Sequence, residues 1–279
     1  MDWDKAKSMT IVFLLALNLF LTVLVLINRN EYRMDNTQRK AVIELLETNG
    51  IHINTNVMLS YRPMKQLDMR VYVYEPQELT GIFFEGEPER IVQLDKVIYT
   101  KDDDSLTIQN GYITYDRVSG AGNVAPTEQN SQRLATEYLK GMGEMFSSFK
   151  PDDIFPYEDG YRVTFCEHYK NYIVYSNMVE IYVTSRGITR VDIQYNTPVR
   201  FEGQAMEICS PDEALLNFMH KYLSEMGQTE AEVERIDLVY IQNERTDQPD
   251  AELKAMPYYR VTVATLEAPY IINAYPITN

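Results

Sequence analysis

Two short stretches hold residue types that could do covalent chemistry. Cys166 and His168 stand two apart in TFCEHYKN (164–171), a strand-like piece running into a turn. Alternate strand positions share a face, so a thiol nucleophile and its base could sit side by side there. A strand that ends in a polar His before its turn explains the same letters more simply. Ser147-Ser148-Phe149-Lys150 fits SxxK, in which a lysine helps deprotonate a serine, but the SDN and KTG partners of that motif are absent.

Other chemistries have less to stand on. The only histidines are His52, His168 and His220, with no HExxH or HxH spacing for zinc, and there is no GxSxG, P-loop or GxGxxG. Carboxylates lie in runs such as Asp102-Asp103-Asp104, which read as solvated loops. The residues ask for no reaction and imply no cofactor or metal. Cys166 and Cys209 form no CxxC; they are either buried thiols or, in an oxidising compartment, a pair. The 21 tyrosines are unusual, and Tyr72 and Tyr74 share one face of RVYVYE, read as the rim or core of a sheet in preference to a ligand face.

The elements that position these residues begin with an apolar head. From Ser8 to Asn28 no side chain is charged, and about 20 helical residues rise about 30 Å, the thickness of a bilayer's hydrocarbon core. The run exceeds a signal-peptide core and no small-x-small cleavage site follows it, so an uncleaved transmembrane signal anchor is expected over residues 1–30. Trp3, Lys5, Lys7 and Tyr32 are placed at the membrane interface. Lys5 and Lys7 face Arg29, Arg33, Arg39 and Lys40 across the span, so charge alone does not orient it. Asn18 and Thr22, one turn apart, make a polar stripe expected to contact another transmembrane helix. A net charge of −15 argues against nucleic acid and against adhesion to an anionic membrane surface.

Beyond the head, an α+β architecture is expected. Asn36 to Gly50 has helical periodicity, and strands are read at 69–75, 81–86, 95–100 and 105–116, the last split by the hairpin signal Asn110-Gly111. VSGAGNVAP (118–126) reads as a linker, giving a membrane-proximal domain over 31–120 and a distal domain over 121–279. The distal part reads as a degenerate repeat, 127–200 and 208–279, of helices laid on antiparallel sheet. Its helices start near Thr127 and Ser210, lie 27 and 26 residues before Ile154 and Ile236, and lead to Tyr161-Arg162-Val163-Thr164-Phe165 and Tyr259-Arg260-Val261-Thr262-Val263. QNERTDQPDAELKAM (242–256) is read as an exposed insertion of the second copy.

MDWDKAKSMTIVFLLALNLFL (1–21) resembles the opening of the YycI (WalI) family in Met1-Asp2-Trp3, Lys5 and Lys7, and Leu17-Asn18-Leu19-Phe20-Leu21; Asp4 departs from the small polar residue expected there. The match covers about 20 residues and is architectural beyond them. It implies a helix-on-sheet extracytoplasmic part akin to YycH and an N-terminus inside the cell. It also implies a non-catalytic regulator of a YycG/WalK-like sensor histidine kinase in cell-wall control, acting through transmembrane contacts with the kinase and a YycH-like sister protein. A membrane-anchored cell-wall enzyme and a wall-binding scaffold are the alternatives.

Overall fold

Proline placement and capping set the starts of helices after the first. The computed structural model describes residues 3–32, 35–57, 61–109, 111–118, 125–227, 230–243 and 251–276. In chain order the elements are α1 (Trp3–Glu31), α2 (Asn36–Thr48), β1 (Ile51–Ile53), β2 (Met64–Val71), α3 (Pro76–Phe83), β3 (Glu89–Val92), β4 (Lys96–Lys101), β5 (Asp104–Gln109) and β6 (Tyr112–Asp116). There follow α4 (Glu128–Gly141), a 3₁₀ turn (Glu144–Phe146), β7 (Phe149–Tyr157), β8 (Gly160–Tyr169), β9 (Tyr172–Thr184), β10 (Gly187–Gln194) and β11 (Asn196–Met206). The chain ends in α5 (Pro211–Met226), β12 (Ala231–Gln242), β13 (Glu252–Val263) and β14 (Tyr270–Asn273).

The molecule is α+β, and its contacts divide it into two units. Unit 1 comprises Met1–Pro63, Glu207–Ile236 and Val261–Asn279; unit 2 comprises Met64–Met206 and Asp237–Arg260. The division falls inside β12 and β13, not at residue 120. Residues on both sides of position 120 share the core of unit 2, where Tyr99, Leu106, Ile113 and Tyr115 pack with Ala135, Leu139, Val163 and Phe165.

In unit 2 the strand order is β11-β2-β13-β12-β9-β10-β6-β5-β4-β3, with β8 beside β9 and β7 beside β8. The pairings with printed register are antiparallel except β12 with β9, where Val239 and Tyr240 run parallel to Ile173 and Val174. Helix α4 lies against β7, β8 and β9. Its N-cap, Thr127, accepts the Asn130 N–H, and Ser131, Ala135 and Leu139 form its buried stripe. At Gly160 a β-carbon would stand 1.9 Å from the Val183 carbonyl oxygen, so only glycine lets β8 begin against β9 there. The β8–β9 hairpin turns on Lys170 and Asn171, both at positive φ, as a two-residue turn between right-twisted strands requires.

In unit 1, α2 packs on β1 and α5, and α5 on β14. Helix α5 starts as its letters indicate, with N-cap Ser210, Pro211 in the first turn and Asp212 and Glu213 behind it. Strand β1 runs parallel to the start of β12, Ile51 opposite Ala231.

Two local expectations change. Residues 81–86 were expected as a strand, but Gly81–Phe83 close helix α3, because Pro76 opens a helix whose Leu79 and Phe83, four apart, are buried. The strand expected at 69–75 runs instead from Met64 to Val71. Residues 95–116 follow expectation, Gln109 pairing with Tyr112 across the Asn110-Gly111 turn, of which Asn110 lies outside the described residues. The repeat's two strand motifs fall within β8 and β13, and Thr127 to Phe149 and Ser210 to Ala231 span 22 and 21 positions. The core of the linker, 119–124, and most of the insertion, 244–250, lie outside the described residues.

Candidate functional site

The residues with interaction potential in unit 1 lie on α1. It has 29 residues, about 43 Å at 1.5 Å per residue. Ile11 to Leu15 are all exposed, and five consecutive positions pass right round a helix, so apolar surface covers every side of it. Among the described residues no helix is long and apolar enough to cross a membrane.

The expected interface residues sit as follows. Trp3 is exposed, and the Lys7 ammonium stands 5.5 Å from its ring centroid, a cation–π contact. Lys5 lies in the same helix, its side chain outside what is described. Tyr32 is half-buried, its ring packing edge-on against Tyr61 at 6.0 Å while its carbonyl accepts the Tyr61 N–H. Burial raises the Tyr61 hydroxyl, helped by the Asp212 and Glu207 carboxylates. Thr22 donates its hydroxyl to the Asn18 carbonyl at 2.8 Å, which uses its proton within its own helix. The Asn18 amide is therefore the group on that stripe with donors for another helix.

Unit 2 holds the motif candidates. Lys150 stands directly opposite Cys166 across β7 and β8, and Ser147 ends the 3₁₀ turn on the rim of a cavity of about 370 Å³ floored by Leu139, Phe146, Phe149 and Phe165. Ser148, not Ser147, reaches a charged group, donating to Glu167 at 3.2 Å. Cys166 has no exposed surface, so no substrate can reach its sulfur. His168 is held below its usual pKa by burial and then by Lys150. That favours the neutral imidazole, but the thiol two positions before it is closed to solvent.

Two polar clusters in unit 2 escaped sequence reasoning. In the first, Arg260 is 1% exposed and grips Asp152 with both terminal nitrogens, at 2.6 and 2.9 Å; it also reaches Asp237 at 2.6 Å. Its carbon Cζ stands 4.7 Å from the Tyr175 ring centroid. Burial works against the charge, but the bonds to Asp152 and Asp237 outweigh it and raise the guanidinium pKa. The signal was a charged letter inside a strand motif. Arg162 holds the matching place in YRVT, stacks 5.3 Å from Phe155 and pairs with Glu180 at 3.4 Å.

The second cluster surrounds Glu167, only 5% exposed. Its carboxylate accepts from Ser148 and, at 2.5 Å, from Asn177, whose amide also donates to the Asn196 carbonyl and whose oxygen accepts the Asn196 N–H. Asn196 in turn donates to Gln242 at 2.9 Å. The cluster pins an irregularity. Cys166 pairs with Met178 but Glu167 with Val174, so Tyr175, Ser176 and Asn177 form a bulge in β9. Burial raises the Glu167 pKa against the opposing hydrogen bonds. Both clusters consume their charges internally, as structural pins do.

No protein-family model matches the chain, and no curated protein sequence does. Among solved structures it is similar to an uncharacterized protein from Eubacterium rectale, 13% identical over 81% of this chain and 88% of that one, with a TM-score of 0.49. It is also similar to the YpeB C-terminal domain of Bacillus megaterium, 14% identical over 71% and 90%, with a TM-score of 0.40. Likenesses at this level carry no argument about family or function.

Proposed function

We propose that the chain is a non-catalytic, single-pass membrane regulator of a sensor histidine kinase of the YycG/WalK kind, acting with a YycH-like sister protein in the control of cell-wall metabolism. The observation that carries the membrane part is α1, with apolar side chains exposed on every side of consecutive turns. The described side chains of that stretch end at Val23, and the sequence continues apolar through Leu24, Val25, Leu26 and Ile27, so the uncharged run reaches the length of a span. Water does not tolerate such a surface on a lone helix, and a bilayer does. The kinase part rests on the resemblance of residues 1–21 to the YycI opening.

In this reading Asp2 to Lys7 stay inside, the apolar stretch of α1 spans, and the chain beyond α1 stands outside. The fate of the polar side chains favours regulation over catalysis: the buried ones hold strands in register, and the candidate thiol is sealed. Protease added to intact protoplasts should digest residues beyond the helix and leave a short membrane-protected fragment. Digestion only after lysis would reverse the topology and remove the kinase-accessory role.

A further inference from the structure

Where α4 ends, unit 2 keeps a cavity that neither polar cluster uses. It lies between the last turn of α4, the 3₁₀ turn and strands β7 and β8, and its volume of about 370 Å³ is within the range of small-molecule sites. A cavity of about 150 Å³ already holds a benzene ring, so this one has room for a ring and a compact polar head. Its floor is apolar and mostly aromatic. Leu139, Phe146, Phe149 and Phe165 are buried, and the Phe146 and Phe149 rings meet at 62° with their centroids 5.5 Å apart. Aromatic rings pack best edge-to-face or offset, and a third ring continues that arrangement.

The rim carries both signs of charge. Lys140, in the last turn of α4, and Glu144, which opens the 3₁₀ turn, line the mouth and are exposed, and Gly143 between them has no side chain to cover it. Among the described residues neither Lys140 nor Glu144 is in an ion pair, with the other or with a third group. Opposite charges thus stand at one mouth without neutralising each other. Glu144, with the outward carbonyls at the carboxyl end of α4, favours a cation, and Lys140 favours an anion.

We propose that this cavity binds a free aromatic amino acid, its ring on the phenylalanine floor, its carboxylate on Lys140 and its ammonium on Glu144. The rim selects for the zwitterion. A fatty acid brings only a carboxylate, which Lys140 attracts and Glu144 repels, and an aromatic residue inside a peptide chain carries neither charge. The zwitterion has no net charge, so the −15 of the chain does not hold it off as it would an anion. Ion pairs at an exposed rim contribute little each, so the site is weak and quickly reversible, suited to following a concentration and not to retaining a cofactor.

Equilibrium dialysis of tritiated phenylalanine against the full chain in lipid nanodiscs, with empty nanodiscs as the blank, tests this. In competition, phenylalanine should bind roughly 2- to 5-fold more tightly than phenethylamine or 3-phenylpropionate, which each lack one charge, the usual worth of an exposed ion pair. N-acetylphenylalanine amide, which lacks both, should bind more weakly still. Lys140→Met should bring phenylalanine down to the level of phenethylamine and leave phenethylamine unchanged; Glu144→Gln should do the same with respect to 3-phenylpropionate. Ser147→Trp, at an exposed rim position, should fill the mouth and abolish binding with an unchanged melting temperature. No saturable binding, equal competition by phenylalanine and its uncharged amide, displacement by decanoate at lower concentration than by phenylalanine, or binding that survives Ser147→Trp would each overturn the proposal.

Discussion

Arg260 and Asp152 lie 108 positions apart in the chain and form a two-pronged ion pair at 2.6 and 2.9 Å inside unit 2. Their side chains are 1% and 8% exposed, so loss of Asp152 takes the two-pronged partner from a charge that water does not reach and leaves it to Asp237, 24% exposed. The pair joins β13 to β7, and Asp237 on β12 is drawn onto the same guanidinium. One side chain thus links three strands.

Asp152→Ala should therefore destabilise the fold by about 3 kcal/mol, the lower end of the usual cost of breaking a buried pair from one side, because Asp237 stays on the guanidinium. Glu137→Ala, which removes the exposed α4 pair with Arg133 at 58% and 60% exposure, should cost less than about 1 kcal/mol. Urea unfolding of both variants checks the contrast. Equal losses would mean that the buried pair contributes no more than a surface one.

Glu167 gives a pH dependence with a definite sign. Burial raises its pKa in the fold, so between the unfolded value and the folded one the native state holds more proton than the unfolded chain. Its contribution is then complete below the unfolded pKa and declines as pH rises through the folded one. Glu167→Gln keeps the shape and an oxygen to accept from Asn177, turns its amide nitrogen to donate to the Ser148 hydroxyl, and removes the titration. The variant should gain stability relative to the parent as pH rises from acid toward neutral, with a flatter slope; the slope from Glu180, also raised by burial, should remain. Parallel profiles for variant and parent would show that Glu167 does not set the slope.

The cysteines separate two possibilities that their spacing left open. Neither is in a disulfide, and they are 0% and 5% exposed. Burial pushes the Cys209 thiol up to about 12, far from the thiolate form that reacts. A thiol reagent at pH 8 should find no reactive cysteine in the native protein and two after unfolding without reductant. Thiols that appear only after reductant is added would establish a bridge.

What could be read from the letters was local. Ser210-Pro211 and Thr127 marked helix starts, and Asn110-Gly111 marked a hairpin, because capping and turn chemistry act within a few residues. Gly81-Ile82-Phe83-Phe84 misled because a short apolar run carries no period of its own; the proline five positions upstream decided it. The division into units was hidden, since unit 1 is assembled from three separate segments, with β1 paired to β12 about 180 residues later. The Glu167 bulge was hidden for the same reason. Three extra residues on β9 leave no trace in alternation until the partner strand is known. Arg260 could have been suspected, because a charge repeated in the same place of two strand motifs finds a carboxylate partner in each.

The account stands or falls on whether α1 recognises a partner helix or merely holds the chain in place. Since the Thr22 hydroxyl is spent on the Asn18 carbonyl, the two residues of the stripe should not behave alike. The deciding measurement is co-purification of the sensor kinase from membranes with the full chain, with Asn18→Leu and with Thr22→Val. Asn18→Leu should weaken capture roughly 3- to 30-fold, the range of interhelical hydrogen bonds from polar side chains, with membrane insertion intact, and Thr22→Val should leave capture unchanged. Capture of the kinase by Asn18→Leu at the parent's level, or by none of the three, would contradict the account.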